Sequence, residues 1–439
     1  MKGTPTAEKL TYRCESCGHT SSRWMGFCPQ CRSSEGLVET TVRPHRVAPS
    51  IDVVSADAPP KTINGRAPTG LGEFDRVLGG GMVPGVTVLV GGAPGIGKST
   101  LLLHAADRFA SSTGPVLIAT AEESARQVQL RAHRVGVRTG QVLIASVADV
   151  DDIVAIAAAR KPAAVIVDSI QTVSSTGSSG AAGGVVQVRD CAARLIAFAK
   201  NSDTPVIIVG HVTKDGSIAG PRTLEHMVDV VLYLEGESDA GLRFLRSVKN
   251  RYGAVHEVGV FDMTPDGLVE VPDPSGLLVG LRDDTAPGSV LFPAIEGRRP
   301  VVVEVQALVV GSNASQPRRS VTGLLPSRVH QILGILTRHA RIPLAGQEVY
   351  LSVMGGVRIS EPAADLPVAL AVASAFHDVA LGRVAAWGEL GLTGDVRPAP
   401  RPLVRTAEIE RISAGPILCP ETGFKRLDRA LAATGLASG

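Results

Sequence analysis

GGAPGIGKST, residues 91–100, contains an uninterrupted G-x-x-x-x-G-K-[ST] pattern from Gly92 to Ser99. A β-type run, VTVLV at 86–90, comes before it, and an apolar helical stretch, LLLHAADRFA at 101–110, comes after it. Strand, glycine-rich turn and helix in that order are what a phosphate-binding loop requires. Gly92, Gly95 and Gly97 let backbone N–H groups close around an anion, with Ala93, Pro94, Ile96 and Thr100 completing the loop. Lys98 is expected to reach the β and γ oxygens of ATP, and Ser99 to offer its hydroxyl to Mg²⁺. The helix N-terminus faces the same anion.

Outward from this loop, short β runs alternate with helical segments at 115–120, 164–168, 206–210 and 230–235, which predicts an α/β domain with a largely parallel sheet. An ATPase needs one carboxylate for Mg²⁺ and another for the attacking water. Ala164-Val165-Ile166-Val167-Asp168 is an apolar strand ending in an acid, so Asp168 is the expected magnesium-linked residue. Glu122 and Glu123 follow the strand ending at Thr120, at the edge where open α/β sheets bind ligands. Glu122 is taken as the water-orienting base, while an acidic helix start describes Glu123 equally well. His211 ends another strand and is a candidate γ-phosphate sensor, with a purely structural histidine as the equal alternative. In KNRYG at 249–253, Lys249 and Arg251 occupy alternate strand positions and so should share one side. They read either as a solvated basic strand or as fingers reaching a neighbouring subunit's site, where such groups can contribute roughly 10³ to 10⁵ in rate.

Cys14-x2-Cys17 and Cys28-x2-Cys31 are spaced so that two knuckles can converge on one tetrahedral ion. Four thiolates leave no open position, which describes a structural site, and zinc suits it better than iron. Paired redox motifs would call for a βαβ setting that is missing here. A segment this short needs metal binding, of order 10 kcal/mol, to fold at all. Cys191 and Cys419 stand alone and read as buried small residues.

The chain has 439 residues, enough for two or three domains, and a net charge of only +2, so no global field points to nucleic acid. Aromatics make up 3%, which argues against extensive base-stacking surfaces. The polar start MKGTPTAEKL lacks the apolar core of a signal peptide, and the apolar stretch at 362–376 carries Asp365 and is too short to span a bilayer. A cytoplasmic protein without a membrane partner is expected.

The order CxxC, CxxC, GGAPGIGKST, AEES, VIVDSIQT, GHVTKDGSIAGPRTLEHMVD and KNRYG resembles the bacterial RadA/Sms DNA-repair family over essentially the whole chain. That family's pentapeptide is usually KNRFG, and Tyr252 stands here for its Phe. The resemblance implies a RecA-like P-loop ATPase core assembling as a ring, a hexamer, in the manner of DnaB-type helicases. It implies movement on single-stranded and branched DNA, branch migration in homologous recombination, and the RecA recombinase as partner. Lys249 and Arg251 match the pentapeptide implicated in coupling ATP turnover to DNA and to the adjacent subunit.

Residues beyond about 275 resemble the proteolytic domain of Lon proteases, an α+β fold. Its nucleophile motif G-P-S-A-G is replaced by Glu361-Pro362-Ala363-Ala364-Asp365, and its lysine position falls on Arg405. Alanine has no nucleophile and arginine cannot act as a base, so the fold is expected without peptidase chemistry. Arg298-Arg299, Arg318-Arg319, Arg328 and Arg338 read as local positive charge that a ring would repeat into a basic track for DNA. The expected organisation is a C4 zinc module at 1–36, a linker at 37–60, the ATPase domain at 61–275 and the Lon-like domain at 276–439. A loop of small residues at 174–184 is expected to be flexible, and the C-terminal end to be rich in strands.

Overall fold

The computed structural model describes residues 10–14, 16–17, 19–21, 23–34, 37–41, 65–211, 222–236, 241–280 and 282–436. Residues 212–221, which include all of KDGSIAG in the stretch quoted above, lie outside them. The chain forms two compact units, Met1–Thr62 and Ile63–Gly439.

In the smaller unit, β1 (Leu10–Cys14) lies between β2 (Thr20–Ser21) and β3 (Leu37–Thr41), all antiparallel. Residues 37–41 are thus a strand and not the start of a linker. Their Leu-Val-Glu-Thr-Thr composition suits a strand, and the register pairs Leu37 with Cys14.

The larger unit begins with α1 (Gly72–Leu78) and β4 (Thr87–Gly92), which leads through the glycine loop into α2 (Lys98–Ser112). There follow β5 (Val116–Thr120), α3 (Ala125–Arg134), β6 (Val142–Ser146), α4 (Val150–Arg160), β7 (Ala164–Asp168), α5 (Val185–Ser202) and β8 (Val206–His211). A one-turn α6 (Arg222–Glu225) leads to β9 (Val230–Glu235), and the meander β10 (Leu242–Asn250), β11 (Val258–Thr264), β12 (Gly267–Glu270) completes the sheet. Strand order is β12-β11-β10-β9-β4-β8-β7-β5-β6, with β9 to β6 mutually parallel and the meander antiparallel.

Strand side chains alternate between two cores, as the twofold pleat demands. Val88 and Val90 face the layer holding Phe74, Leu101 and Phe109, whereas Leu89 faces Ile153, Val188 and Leu195. The parallel strands are apolar on both faces because helices cover both. The parallel edge strand β6 has no counterpart among the runs picked out from sequence. Its Val142-Leu-Ile-Ala is only half-buried and carries no motif.

After α7 (Pro274–Gly280) a second, mixed sheet forms from β13 (Ser289–Glu296), β14 (Arg299–Gly311), β15 (Arg319–Thr322), β16 (Gln347–Val353), β17 (Ala385–Ala386) and, near the chain's end, β20 (Ile417–Leu418). Helix α8 (Pro326–His339) precedes β16, and α9 (Asp365–His377), buried from Asp365 to Ser374, packs on β13 and β14. The C-terminal end is not rich in long strands. It comprises two-residue strands β18 (Glu389–Leu390), β19 (Val396–Arg397) and β20 (Ile417–Leu418) with helices α10 (Pro402–Arg411) and α11 (Leu427–Ala433).

The two sheets share one core. Leu242, Phe244, Val258 and Val260 of the first pack in the same cluster as Val290, Val301 and Val303 of the second. Buried Glu73 on α1 pairs with Arg299, and Arg246 bonds Glu235 at 2.8 Å and Glu296 at 2.6 Å.

Two expectations change here. The arginines proposed as a basic track have mostly found partners distant in sequence: Arg298 with Glu257, Arg299 with Glu73, Arg328 with Asp365, and Arg319 with the carbonyls of Leu344 and Gln347. Nor is the loop at 174–184 loose. The Gln187 side chain, buried on α5, accepts from the Ser175 N–H and donates to the carbonyls of Ser175, Ser178 and Gly180.

Candidate nucleotide site and zinc centre

The phosphate loop crosses the C-terminal edge of the parallel strands. Gly97, at φ +113°, is the residue from which α2 departs, and a Cβ there would meet Met263 and Leu268 of the meander. Gly91 is required for another reason: a Cβ on it would lie 2.4 Å from the Tyr233 ring on β9. Helix α2 follows because Leu101, Leu102, Ala105, Ala106 and Phe109 bury one stripe against the sheet.

A cleft of about 450 Å³ opens here, lined by Lys98, Ser99, Thr120, Glu122, Asp168 and His211 among others. The Lys98 ammonium is buried; it donates to the carbonyls of Gly92 and Ala93, both at 3.0 Å, and lies 3.1 Å from His211 Nδ1. Burial lowers its pKa to about 8, against the opposing pull of Asp168 and Glu122. Asp168 ends β7 beside Thr120 of β5, and its pKa is raised by burial, with the Ser99 hydroxyl bonding its carboxylate in opposition. Ser99 and Asp168 therefore present adjacent oxygens, a hard donor set that fits Mg²⁺. The Asp168–Ser169 peptide is cis.

Glu122 accepts from the Ser169 hydroxyl at 2.6 Å and lies 3.4 Å from His211 Nε2. Its neighbour Glu123 also lines the cleft but pairs there with Arg131, while Ser124 and Gln127 form the capping box of α3. The fold thus brings Lys98, Ser99, Glu122, Asp168 and His211 together. His211 stands between the lysine and the glutamate.

It does not bring Lys249 and Arg251 there. Lys249 pairs with Val231, level with Leu89 of β4, so it lies three residues, about 10 Å, below Gly92 along the sheet. The strand ends at Asn250, after a register shift between Ser247 and Lys249, so the expected strict alternation fails and Arg251 lies in the following bend. Lys249 Nζ donates to the carbonyls of Glu225 at 2.7 Å and Val228 at 2.8 Å. Arg251 Nη1 donates to Asp229 Oδ1 at 3.2 Å. Asp229, the last residue of the quoted GHVTKDGSIAGPRTLEHMVD stretch, had no role assigned from sequence. This buried carboxylate also accepts from the N–H of Thr87 at 3.1 Å and its hydroxyl at 2.8 Å, tying the first residue of β4 to Arg251.

In the smaller unit the sulfurs of Cys14, Cys17, Cys28 and Cys31 all lie within 4.8 Å of one another. Cys14 and Cys31 are 3.7 Å apart and Cys17 and Cys28 3.5 Å. A tetrahedron with Zn–S bonds of about 2.3 Å has edges of about 3.8 Å, so the set fits zinc without rearrangement. The Cys28 thiol is drawn down to about 6, chiefly by the backbone N–H of Cys31. In the larger unit, Cys191 and Cys419 are buried.

A glycine loop at the end of a central parallel strand, with an acid two strands away in the sheet, defines a RecA-like P-loop ATPase, here carrying a zinc-binding ribbon. The AAA domain family matches residues 69–217, and a rubredoxin metal-binding domain family matches residues 12–39. The DNA repair protein RadA of Pseudomonas aeruginosa is 45% identical over 409 residues, covering 89% of this chain and 88% of that one. RadA of Bacillus subtilis is 42% identical over 430 residues, covering 95% and 92%. Among solved structures, a KaiC-like protein from Pyrococcus horikoshii aligns with 47% of this chain and 99% of its own at 22% identity, with a TM-score of 0.39. The chain belongs to the RadA family of DNA repair proteins, and ATP, Mg²⁺ and Zn²⁺ are its cofactors. Among the described residues no helix is long and apolar enough to cross a membrane.

Proposed function

We propose that this protein is a DNA-dependent ATPase that assembles as a ring, a hexamer, and moves on single-stranded DNA to drive branch migration beside the RecA recombinase. Lys98 clamps the β and γ phosphates, Ser99 and Asp168 hold Mg²⁺, and Glu122 orients the attacking water. His211, between Lys98 and Glu122, senses whether the γ-phosphate is present. Glu122 is favoured over Glu123 because Glu123 is engaged by Arg131.

The observation that supports the ring is that Lys249 sits level with Leu89, about 10 Å down the strand direction from Gly92, and that Arg251 is bonded to Asp229 beside Thr87, at the far end of β4 from the phosphate loop. That placement supports an action on another subunit's phosphate in place of their own. The second sheet is a Lon-like scaffold without peptidase chemistry. Arg405 is fully buried, paired with Glu361 and bonded to the Pro293 and Pro400 carbonyls, an arrangement that supports a structural role.

The test is complementation. Lys98→Ala and Arg251→Ala are each expected to abolish single-strand-stimulated ATP turnover, and mixed rings of the two to regain part of it. No recovery on mixing, or a turnover that ignores single-stranded DNA, would overturn the reading. Strand binding without branch migration would instead mark an ATP-driven switch.

A further inference from the structure

Between its two cysteine pairs the smaller unit reads Arg23-Trp24-Met25-Gly26-Phe27 and places both rings outside: Trp24 is 64% exposed and Phe27 57%. The chain has only two tryptophans, and the other, Trp387, is fully buried. Folding normally hides such rings, since each carries a large apolar surface. Nothing in the ATP site uses them. Both lie in the span that leads into buried Cys28, Phe27 directly before it, so the metal knuckle that forms around this cysteine fixes where both rings project.

An arginine precedes the two rings in the sequence and another follows them. Arg23 and Arg32 are exposed, and Arg32 adopts a left-handed backbone, φ +60°, while donating its N–H to the Cys28 carbonyl at 2.9 Å. The described side chains of this unit include no carboxylate; Glu8, Glu15, Glu35, Glu39, Asp52 and Asp57 fall outside them. Two exposed rings with an exposed arginine before and after them in the sequence match the chemistry of a single nucleic-acid strand, whose bases stack on aromatic faces and whose phosphates seek cations. A partner protein would bury the rings equally well but gives no reason for an arginine on either side.

We propose that Trp24 and Phe27 form a stacking platform for unpaired bases of single-stranded DNA, with Arg23 and Arg32 holding the adjoining phosphates. The proposal rests on the DNA-motor reading and adds to it a second strand contact, on the zinc unit and independent of the ATP site.

Because Trp387 is buried, the full-length protein carries its own reporter: a change in tryptophan emission on adding an oligothymidylate belongs to Trp24. Saturable quenching is expected. Removing each ring, in Trp24→Ala and Phe27→Ala, should weaken oligonucleotide binding about tenfold. Trp24→Phe should restore most of it. One zinc per chain in every variant shows that the knuckle is intact. If the oligonucleotide stimulates ATP hydrolysis but leaves the emission unchanged, this proposal fails and the motor reading stands. If it does neither, the motor reading fails as well. Equal quenching by duplex DNA, or quenching by a protein partner and not by the oligonucleotide, would also overturn the platform.

Discussion

Replacing Lys98 by methionine should make the nucleotide-free protein more stable while destroying its activity. The folded pKa of this lysine is about 8 against an ordinary 10.5, because burial penalises its charge more than Asp168 and Glu122 repay. At 1.36 kcal/mol per pH unit, the charged ammonium costs the fold about 3 kcal/mol at pH 7. Methionine fills the same space and removes that cost, but it abandons the carbonyls of Gly92 and Ala93, each hydrogen bond contributing about 1 kcal/mol. The net gain is about 1–2 kcal/mol, or a few degrees in melting temperature.

The pH dependence carries a sign of its own. Below pH 8 both states hold the proton, and the penalty is constant. Between about 8 and 10.5 the folded lysine gives up its proton first, so the unfolded chain binds more protons and stability rises with pH. Wild-type protein should therefore close the gap to Lys98→Met as pH rises through this window, and the comparison cancels the titrating groups that do not interact with Lys98. Thermal melts from pH 7 to 10 without nucleotide, and again with Mg²⁺ and ATP, provide the assay. A variant that melts below wild type without nucleotide, or a gap that ignores pH, would refute the reasoning; ATP should stabilise wild type alone.

Glu122→Gln should lower turnover by roughly 10² to 10⁴ while ATP binding survives, whereas Glu123→Gln should cost little beyond a partly exposed ion pair worth at most about 1 kcal/mol. Steady-state rates and nucleotide titrations distinguish them, and equal losses would contradict the assignment of the water to Glu122. Gly91→Ala drives a methyl group into the Tyr233 ring and should cost about 1–3 kcal/mol in urea unfolding, a loss that Tyr233→Leu relieves in the double variant. Stripping zinc with a chelator should unfold the Met1–Thr62 unit, which has no other cluster of buried side chains than that around Cys14 and Cys28 among its described residues, and leave the melting of the larger unit in place. Limited proteolysis with cleavage confined to the N-terminal 62 residues is the expected pattern.

What was legible in the sequence is what depends on neighbours in the chain. The glycine pattern, the apolar strand ending in Asp168 and the paired CxxC motifs each encode local geometry, so their positions could be read directly. Strand β6 escaped because Val142 to Ser146 is an edge, half-buried and bounded by no motif. The arginines were misread because their partners are remote: Glu73 is 226 residues from Arg299, and Asp365 is 37 from Arg328. Gln187 holds a loop that composition alone calls loose. Asp229 ends a quoted stretch, yet its role was hidden for the same reason, since an aspartate before a strand shows no task until Thr87 and Arg251 close on it from either side.

That aspartate bears on how a ring could couple its parts. Strand β4 has the phosphate loop at one end and, at the other, Thr87 held by the carboxylate that also holds Arg251. In this arrangement the Arg251 guanidinium is engaged within its own chain, and Lys249 is engaged by the carbonyls of Glu225 and Val228. Glu225 in turn accepts from the Tyr233 hydroxyl at 2.7 Å, and the ring of Tyr233 lies against Gly91 at the start of the loop. Drawing either cation away to another subunit's phosphate would exchange these bonds for new ones. Both exchanges lead back to β4, at Thr87 through Asp229 and at Gly91 through Tyr233. Asp229→Asn, which keeps the shape but weakens the hold on Arg251, discriminates between a contact that merely braces the fold and one that restrains the finger. A brace predicts lower stability with unchanged turnover per folded ring, whereas a restraint predicts that turnover rises as Arg251 is released.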